Sequence, residues 1–271
     1  MKLLKRIFDF YLDTSIHVGL SVFALAQVTF YNLGLPFDDA LSYALFFGTI
    51  VEYSFIKYSP LAKHYIFVTQ KYIRSIQLFS AICFLVALYF VFQLQAITVI
   101  IASVLVLLAF LYVVPAISSK QNFRSLKGVK IYIVAITWSV STVILPLLNS
   151  DSKIEWIGFL EFLQRFLFII ILMIPFEIRD LKADEPWLRT LPQVLGEKGV
   201  KVFGGVLTIL FLIIAIVKSH FFGMDNLVVE SIISGLLVLA VVFAKKEQSS
   251  YFSRFFVESI SVIWWLLLWA I

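Results

Sequence analysis

The chain is poor in the residues that ordinarily carry chemistry in a small enzyme. Its one cysteine, Cys83, lies in the middle of an apolar run, which excludes an intrachain disulfide or a thiolate metal site and leaves a buried, inert thiol. Its three histidines, His17, His64 and His220, fall on different segments and show no metal-ligand spacing. The sequence has no glycine-rich phosphate loop, no nucleophile elbow and no internal repeat. Charge is scarce as well: Asp, Glu, Lys and Arg make up 14% of 271 residues while 61% are hydrophobic. That balance excludes an ordinary soluble domain and makes a bilayer the expected solvent.

What the chain has instead is apolar length. Nine stretches are long enough, or nearly so, to span a membrane as helices: residues 15–33, 40–56, 76–94, 96–114, 131–148, 156–176, 202–217, 227–243 and 255–271. The expectation is an all-α, multi-pass integral membrane protein, one domain over residues 1–271 with nine transmembrane helices. Alternate connections carry 19 of the 22 basic residues, among them Lys2, Lys5, Lys57, Lys71, Lys120, Arg124, Lys127, Arg179, Lys182, Lys245 and Arg254. Short cytoplasmic loops retain Lys and Arg, so the N-terminus is expected in the cytoplasm and the C-terminus on the opposite side, in the cytoplasmic membrane if the source is bacterial. The same distribution argues against nucleic acid as the partner of a +5 chain, because juxtamembrane bases serve anionic lipid headgroups. The basic N-terminus followed by apolar residues is similar to a signal peptide. Asp9, Asp13 and His17 interrupt it, however, and hydrophobicity runs on to Leu33, so a retained first helix is expected.

Against this background the stretch FEIRDLKADE, residues 176–185, stands out. At about 100° per residue, Glu177, Asp180 and Asp184 share one face of a helix end, where three like charges repel unless cations sit among them. Magnesium prefers such oxygen donors and often bridges a few carboxylates to substrate phosphates. The plain alternative is a solvated helix stop, with Arg179 and Lys182 as local partners. Deeper in the same segment, Glu161 and Arg165 are four residues apart, and Arg165 precedes Glu177 by twelve residues, about 18 Å of helix, near mid-membrane. Ionisable groups at that depth either face a cavity, here as a polar contact for substrate, or neutralise each other as an i,i+4 pair that fixes packing. Both readings of that pair stay open.

The residues that follow, PWLRTLPQVLGEKGVK, give the chain a resemblance to the UbiA superfamily of intramembrane prenyltransferases. That family's second aspartate-rich motif, Asp-x-x-Asp-x-x-x-Asp, corresponds to Glu177, Asp180 and Asp184, and is followed by Thr190-Leu191-Pro192 and Leu195-Gly196. The stretch at 111–148, with its basic loop and Trp138, is similar to the family's connection between the fourth and fifth helices. The resemblance implies a nine-helix bundle with its active-site loops in the cytoplasm. It further implies magnesium-dependent transfer of a prenyl group from a prenyl diphosphate to a lipophilic, often aromatic, acceptor.

The site residues the resemblance implies are Asp180 and Asp184 as catalytic metal ligands, then Glu177. Lys57, Lys120, Arg124 and Lys127 are candidates for the diphosphate, and Arg165 for a polar contact in the cavity. The sequence departs from the family at the end of the second helix, where GTIVEYSFIKYSP, residues 48–60, contains no Asp. Only Glu52 offers a carboxylate there, Tyr53 and Lys57 stand where acids are expected, and Lys57 has the charge to replace a cation as a point contact to phosphate. Lys57 reaching for headgroups and the basic loop setting topology are the plain alternatives. A second function stays in view: a catalytically inactive UbiA-like membrane protein that binds an isoprenoid lipid or a partner.

Overall fold

The computed structural model describes residues 2–61, 70–113 and 128–270, and within them every regular element is helical. The chain starts with α1 (Lys2–Asp13) and α2 (Ile16–Asn32), which meet at a 56° bend. Ser15 forms the elbow in the left-handed region at φ 64°. The sequence analysis had no helix before residue 15, because the charges of α1 hide it from any count of apolar length. α1 is amphipathic: Phe8 and Phe10 pack on Phe255 and Phe79, while Leu3, Leu4 and Ile7 point outward. α2 is apolar around its circumference and accordingly buried. Gly19 lets it approach α3 (Asp39–Tyr58), because a Cβ there would stand 2.9 Å from the Phe46 carbonyl oxygen. Asp38 caps α3 by accepting from the Leu41 N–H at 2.9 Å.

α4 (Lys71–Val91) packs on α3, and α5 (Ala96–Val113) packs on α3 and on the helix at Leu145–Asn149. The next segment is one continuous helical rod: α6 (Lys130–Ser139), a π-helical stretch at Val140–Ile144 and α7 (Leu145–Asn149). α8 (Trp156–Asp180) crosses the middle of the bundle. α9 (Leu191–Phe222) begins well before the expected apolar span, since its first turns carry Glu197, Lys198 and Lys201, and it breaks at Gly196 (φ 71°, ψ 167°). α10 (Leu227–Phe243) follows, and a second π-helical stretch, Phe252–Val257, leads into α11 (Ser259–Ala270). Around the bundle α3, α2, α11, α10, α9, α8 and α6 are successive neighbours. Phe168 of α8, Phe211 of α9 and Trp264 of α11 meet at the centre, with ring centroids 5.1–6.2 Å apart.

Among the described residues five helices are long and apolar enough to cross a membrane, six if the bent α1–α2 pair is one span, and α5 and α10 are shorter apolar helices. Apolar side chains also cover the outside, including Leu78, Leu85 and Phe92 by α4 and Val202, Ile209 and Ile216 on α9. A bundle that is apolar both inside and outside is an integral, multi-pass membrane protein.

Candidate active site

The acidic stretch forms the end of α8 and the turn that follows. Asp180 is the last helical residue, and its carbonyl accepts from the N–H groups of Ala183 and Asp184, both at 2.8 Å, which folds the chain back on itself. The turn ends where Thr190 caps α9 and Gln193 reaches back. Gln193 Oε1 accepts from the Thr190 N–H at 3.0 Å, and its Nε2 donates to the carbonyls of Asp184 and Glu185, each at 3.2 Å. The Thr-Leu-Pro-Gln run therefore braces the acidic turn. Beneath it lies a hollow of about 510 Å³ lined by residues 181–186 and Gln193.

Each acid has a distinct setting. Glu177 is buried, 2% exposed, and lies 3.0 Å from the Lys130 ammonium at the start of α6. Asp180 is held in a fork by its neighbour Arg179, through Nε at 2.7 Å and Nη2 at 3.1 Å, while Arg179 Nη1 donates to Ser253 Oγ at 2.8 Å. Asp184 Oδ2 is buried and has no hydrogen-bond partner among the described residues. Farther out, Lys182 binds Glu247 at 2.6 Å and holds that carboxyl below its ordinary range through the hydrogen bond and its charge.

Glu52 sits on α3 about 7.5 Å of helix before Lys57, and no ion pair involves it among the described residues. Beside it, Tyr53 accepts from Trp138 Nε1 at 3.0 Å. The Lys57 ammonium lies at the α1–α2 elbow, 2.8 Å from Ser15 Oγ and 3.3 Å from the Leu12 carbonyl oxygen. Lys120, Arg124 and Lys127 lie outside the described residues. Gly128, which follows them, donates to the Leu188 carbonyl at 2.8 Å.

At the other end of the bundle the expected Glu161–Arg165 pair is present at 3.0 Å, but it belongs to a larger, fully buried network. Lys218 of α9 bridges Glu161 at 2.7 Å and Glu230 of α10 at 3.0 Å. Asn32 and Gln164 complete the carboxylates. Arg165 also donates to the Leu25 carbonyl at 2.6 Å and Thr142 Oγ1 at 3.0 Å, and its guanidinium lies 5.2 Å from the Trp264 ring centre. The network runs from Asn32 and Asn226, both at helix ends remote from Glu177, inward to Arg165 at the Trp264 ring. Lys218 and Glu230 were missed in the sequence, although each is a lone charge inside an apolar run, which is a readable signal.

Magnesium is tested by the donor set. Among the described residues no three His, Cys, Asp or Glu side chains converge on one point. Magnesium does not require that, since it usually takes one or two carboxylates and completes its shell with water and substrate phosphates. Asp184, with an orphaned hard oxygen on the folded-back turn, fits such a substrate-completed site, and Asp180 joins it where the Arg179 fork yields an oxygen. Glu177, bound to Lys130, fits as its buried support.

No family model and no curated protein matches this sequence. Solved structures do. A UbiA homolog from Aeropyrum pernix K1 superposes with a TM-score of 0.68 at 11% identity, covering 94% of this chain and 99% of the other. UbiA homolog structures from Archaeoglobus fulgidus, bound to DMAPP and Mg2+ or to GPP and Mg2+, give 0.61 at 12% identity, covering 96% and 98%. A structure of digeranylgeranylglyceryl phosphate synthase gives 0.57 at 18% identity over the full length of both chains. Over nearly its entire length, this chain has the fold of the UbiA homologs.

Proposed function

We propose that this chain is a member of the UbiA superfamily that transfers a prenyl group from a prenyl diphosphate to a lipophilic acceptor within the membrane. The reading takes α1–α2, α3, α4, α5, the α6–α7 rod, α8, α9, α10 and α11 as nine spans, with the acidic turn at the cytoplasmic face. The observation that carries it is the acidic turn itself: the chain folds back so that Asp184 N–H bonds the Asp180 carbonyl, Asp184 lines an open hollow, and one of its carboxylate oxygens has no partner among the described residues. Solved neighbours of the same fold carry DMAPP or GPP with Mg2+, which supports a prenyl diphosphate as substrate and magnesium as the ion.

Asp180 and Asp184 hold the ion, which when bound offsets the negative charge that grows on the leaving diphosphate. Glu177, neutralised by Lys130, fixes the cytoplasmic end of α8 against α6 and so aims the two aspartates. Gln193 and Thr190 keep the turn closed on them. Lys57, Lys120, Arg124 and Lys127 supply positive charge for the diphosphate, and the apolar bundle excludes water from the prenyl chain and acceptor. Arg165, bound to Glu161, Thr142 and Leu25, is assigned to holding the bundle.

A second reading, isoprenoid binding without turnover, is favoured by one feature: Lys130 and Arg179 already neutralise two of the three acids. Calorimetry with a non-hydrolysable prenyl thiodiphosphate, with and without magnesium, tests the site, and transfer from a labelled prenyl diphosphate to aromatic lipid acceptors tests turnover. Magnesium-enhanced binding that D180N/D184N abolishes, followed by transfer, is expected. Binding indifferent to both metal and mutation would refute the enzyme reading, and binding without any transfer would favour the second.

A further inference from the structure

At the Ser15 elbow α1 turns away from the axis of α2, and its two faces have different company. The inner face is fastened to the bundle. Phe8 packs on Phe255 and Tyr251, and Phe10 on Phe79 and Tyr72, so α1 reaches from the π-helical stretch before α11 across to α4. Both acids of α1 are engaged there as well. Asp9 accepts from the Tyr251 hydroxyl at 2.5 Å, and Asp13 binds Arg254 at 2.7 Å and the Tyr72 hydroxyl at 2.9 Å. The outer face of the first turns is apolar and positive. Leu3, Leu4 and Ile7 are 59–72% exposed, and Lys5 and Arg6, also exposed, form no ion pair among the described residues.

The level at which α1 lies carries its own mark. Of the chain's 11 tyrosines, Tyr11, Tyr58, Tyr72 and Tyr251 gather around it, with hydroxyls bonded to His17, the Asp13 carbonyl, the Asp13 carboxylate and Asp9. Amphipathic aromatic rings collect where acyl chains give way to headgroups. The acidic turn belongs to the same end, because Arg179 joins Asp180 to Ser253, the neighbour of Arg254. At such a level, large aliphatic side chains beside unpaired bases, with the acids turned inward, complement an anionic lipid surface: the aliphatics enter the acyl boundary and the bases meet phosphates. An acidic protein would match the bases, but it would not account for the tyrosines.

We propose that α1 is an in-plane helix docked on the leaflet at the acidic-turn end, with Leu3, Leu4 and Ile7 among acyl chains and Lys5 and Arg6 against anionic phospholipid headgroups. The first span is then α2 alone, whose 17 residues cover about 25 Å. The 56° bend carries α1 most of the way from the membrane normal to its plane, and a tilt of about 20°, ordinary for a spanning helix, supplies much of the remainder. α1 thereby becomes a strap at the membrane surface that ties α4 to the π-helical stretch, whatever chemistry the acidic turn performs.

The full chain in lipid nanodiscs tests this. In a C83A background, a nitrobenzoxadiazole fluorophore is attached to L4C or I7C, with I82C on the exposed face of α4 and E247C as references for acyl chains and for water. Unfolding midpoints confirm that each variant is folded. The discs contain equal parts phosphatidylcholine and phosphatidylglycerol, with nitroxides placed either near the headgroup or near the chain end. L4C and I7C should emit to the blue of E247C and be quenched chiefly by the shallow nitroxide, and I82C by the deep one. With the shallow nitroxide on phosphatidylglycerol instead of phosphatidylcholine, half-quenching of I7C should need about fivefold less labelled lipid, the preference that one base near an anionic surface confers. K5Q/R6Q should abolish that preference and leave the depth unchanged. Emission like that of E247C, quenched by neither nitroxide, would put the face in water and overturn the proposal. Quenching mainly by the deep nitroxide would make α1 part of the first span and overturn it too. Equal quenching by the two lipids in wild type, or a preference that survives K5Q/R6Q, would overturn the anionic surface as the partner. A blue shift that no nitroxide quenches would mean that a second copy covers the face, and the proposal would again fail.

Discussion

Replacing Lys218 with methionine should destabilise the bundle more than any other single loss of charge. The ammonium is 1% exposed and makes two charge-assisted bonds, at 2.7 Å to Glu161 and 3.0 Å to Glu230. Such bonds are worth about 1.5–3 kcal/mol each, and removing one member of a buried ion pair costs about 3–5 kcal/mol because the other charge remains without compensation. The two acids are left in different positions. Glu161 keeps Arg165 and Asn32, whereas Glu230 keeps only Gln164 at 2.9 Å. The loss should therefore fall mainly on Glu230, at about 3–5 kcal/mol in total, and K218M/E230Q should recover a large part of it by removing the stranded charge. The assay is reversible unfolding in mixed micelles with rising SDS fraction, comparing wild type, K218M and the double variant. Interhelical hydrogen bonds in bilayers average only about 0.6 kcal/mol. A K218M loss below about 1 kcal/mol would mean that the network is no stronger than an ordinary bond, and the reasoning would fail. A double variant no more stable than K218M would fail it as well.

Further outcomes follow from single contacts. G19A should destabilise by about 1–3 kcal/mol, since its Cβ would meet the rigid Phe46 carbonyl at 2.9 Å and force α2 and α3 apart; unfolding in SDS micelles measures it. F168A empties the centre of the aromatic triad and should cost about 3–5 kcal/mol by the same assay. Cys83, 2% exposed, should react with a maleimide in the folded protein far more slowly than after denaturation, as stopped labelling and mass spectrometry will show. For topology, a cysteine placed at Asp151 in a C83A background should be labelled by an impermeant maleimide from outside intact cells, while one placed at Glu247 should be labelled only after permeabilisation.

The sequence carried the membrane class and most helix positions, because an apolar run of sufficient length has few other uses. It hid what depends on something other than apolarity. α1 was missed because its charges outweigh its apolar face, and the early start of α9 because Glu197, Lys198 and Lys201 lie in the first turns. Helical spacing placed Asp180 and Asp184 on one face, but α8 ends at Asp180 and Asp184 lies in the tight turn beyond it, braced by Gln193, which sequence spacing does not encode. Arg165 was legible as half of a pair, but its partners Leu25 and Thr142, and the second partner of Glu161, Lys218, come from other helices, and distance along the chain carries no trace of them.

Polar groups buried in a bilayer protein cost free energy wherever they lie, so how completely they are satisfied separates a brace from a site. At the far end, Glu161 and Glu230 have all four carboxylate oxygens bonded to Lys218, Arg165, Asn32 or Gln164, although Gln164 Oε1 and Arg165 Nε are buried without a partner among the described residues. At the acidic end, Asp184 Oδ2 and Glu258 Oε2 are as deeply buried but unbonded, and Lys57 has only neutral partners among the described residues. The contrast lies in the carboxylates, which are bonded at every oxygen at the far end and retain a buried unbonded oxygen at the acidic end. On the proposed reading, carboxylates closed by protein partners fix the bundle, and those left open receive a diphosphate and its ion. If that distinction holds, neutralising the far end by K218M/E230Q should change stability while leaving thiodiphosphate affinity within about twofold. D184N should do the reverse, lowering affinity at nearly constant unfolding midpoint, because a lone unbonded oxygen contributes little to the fold.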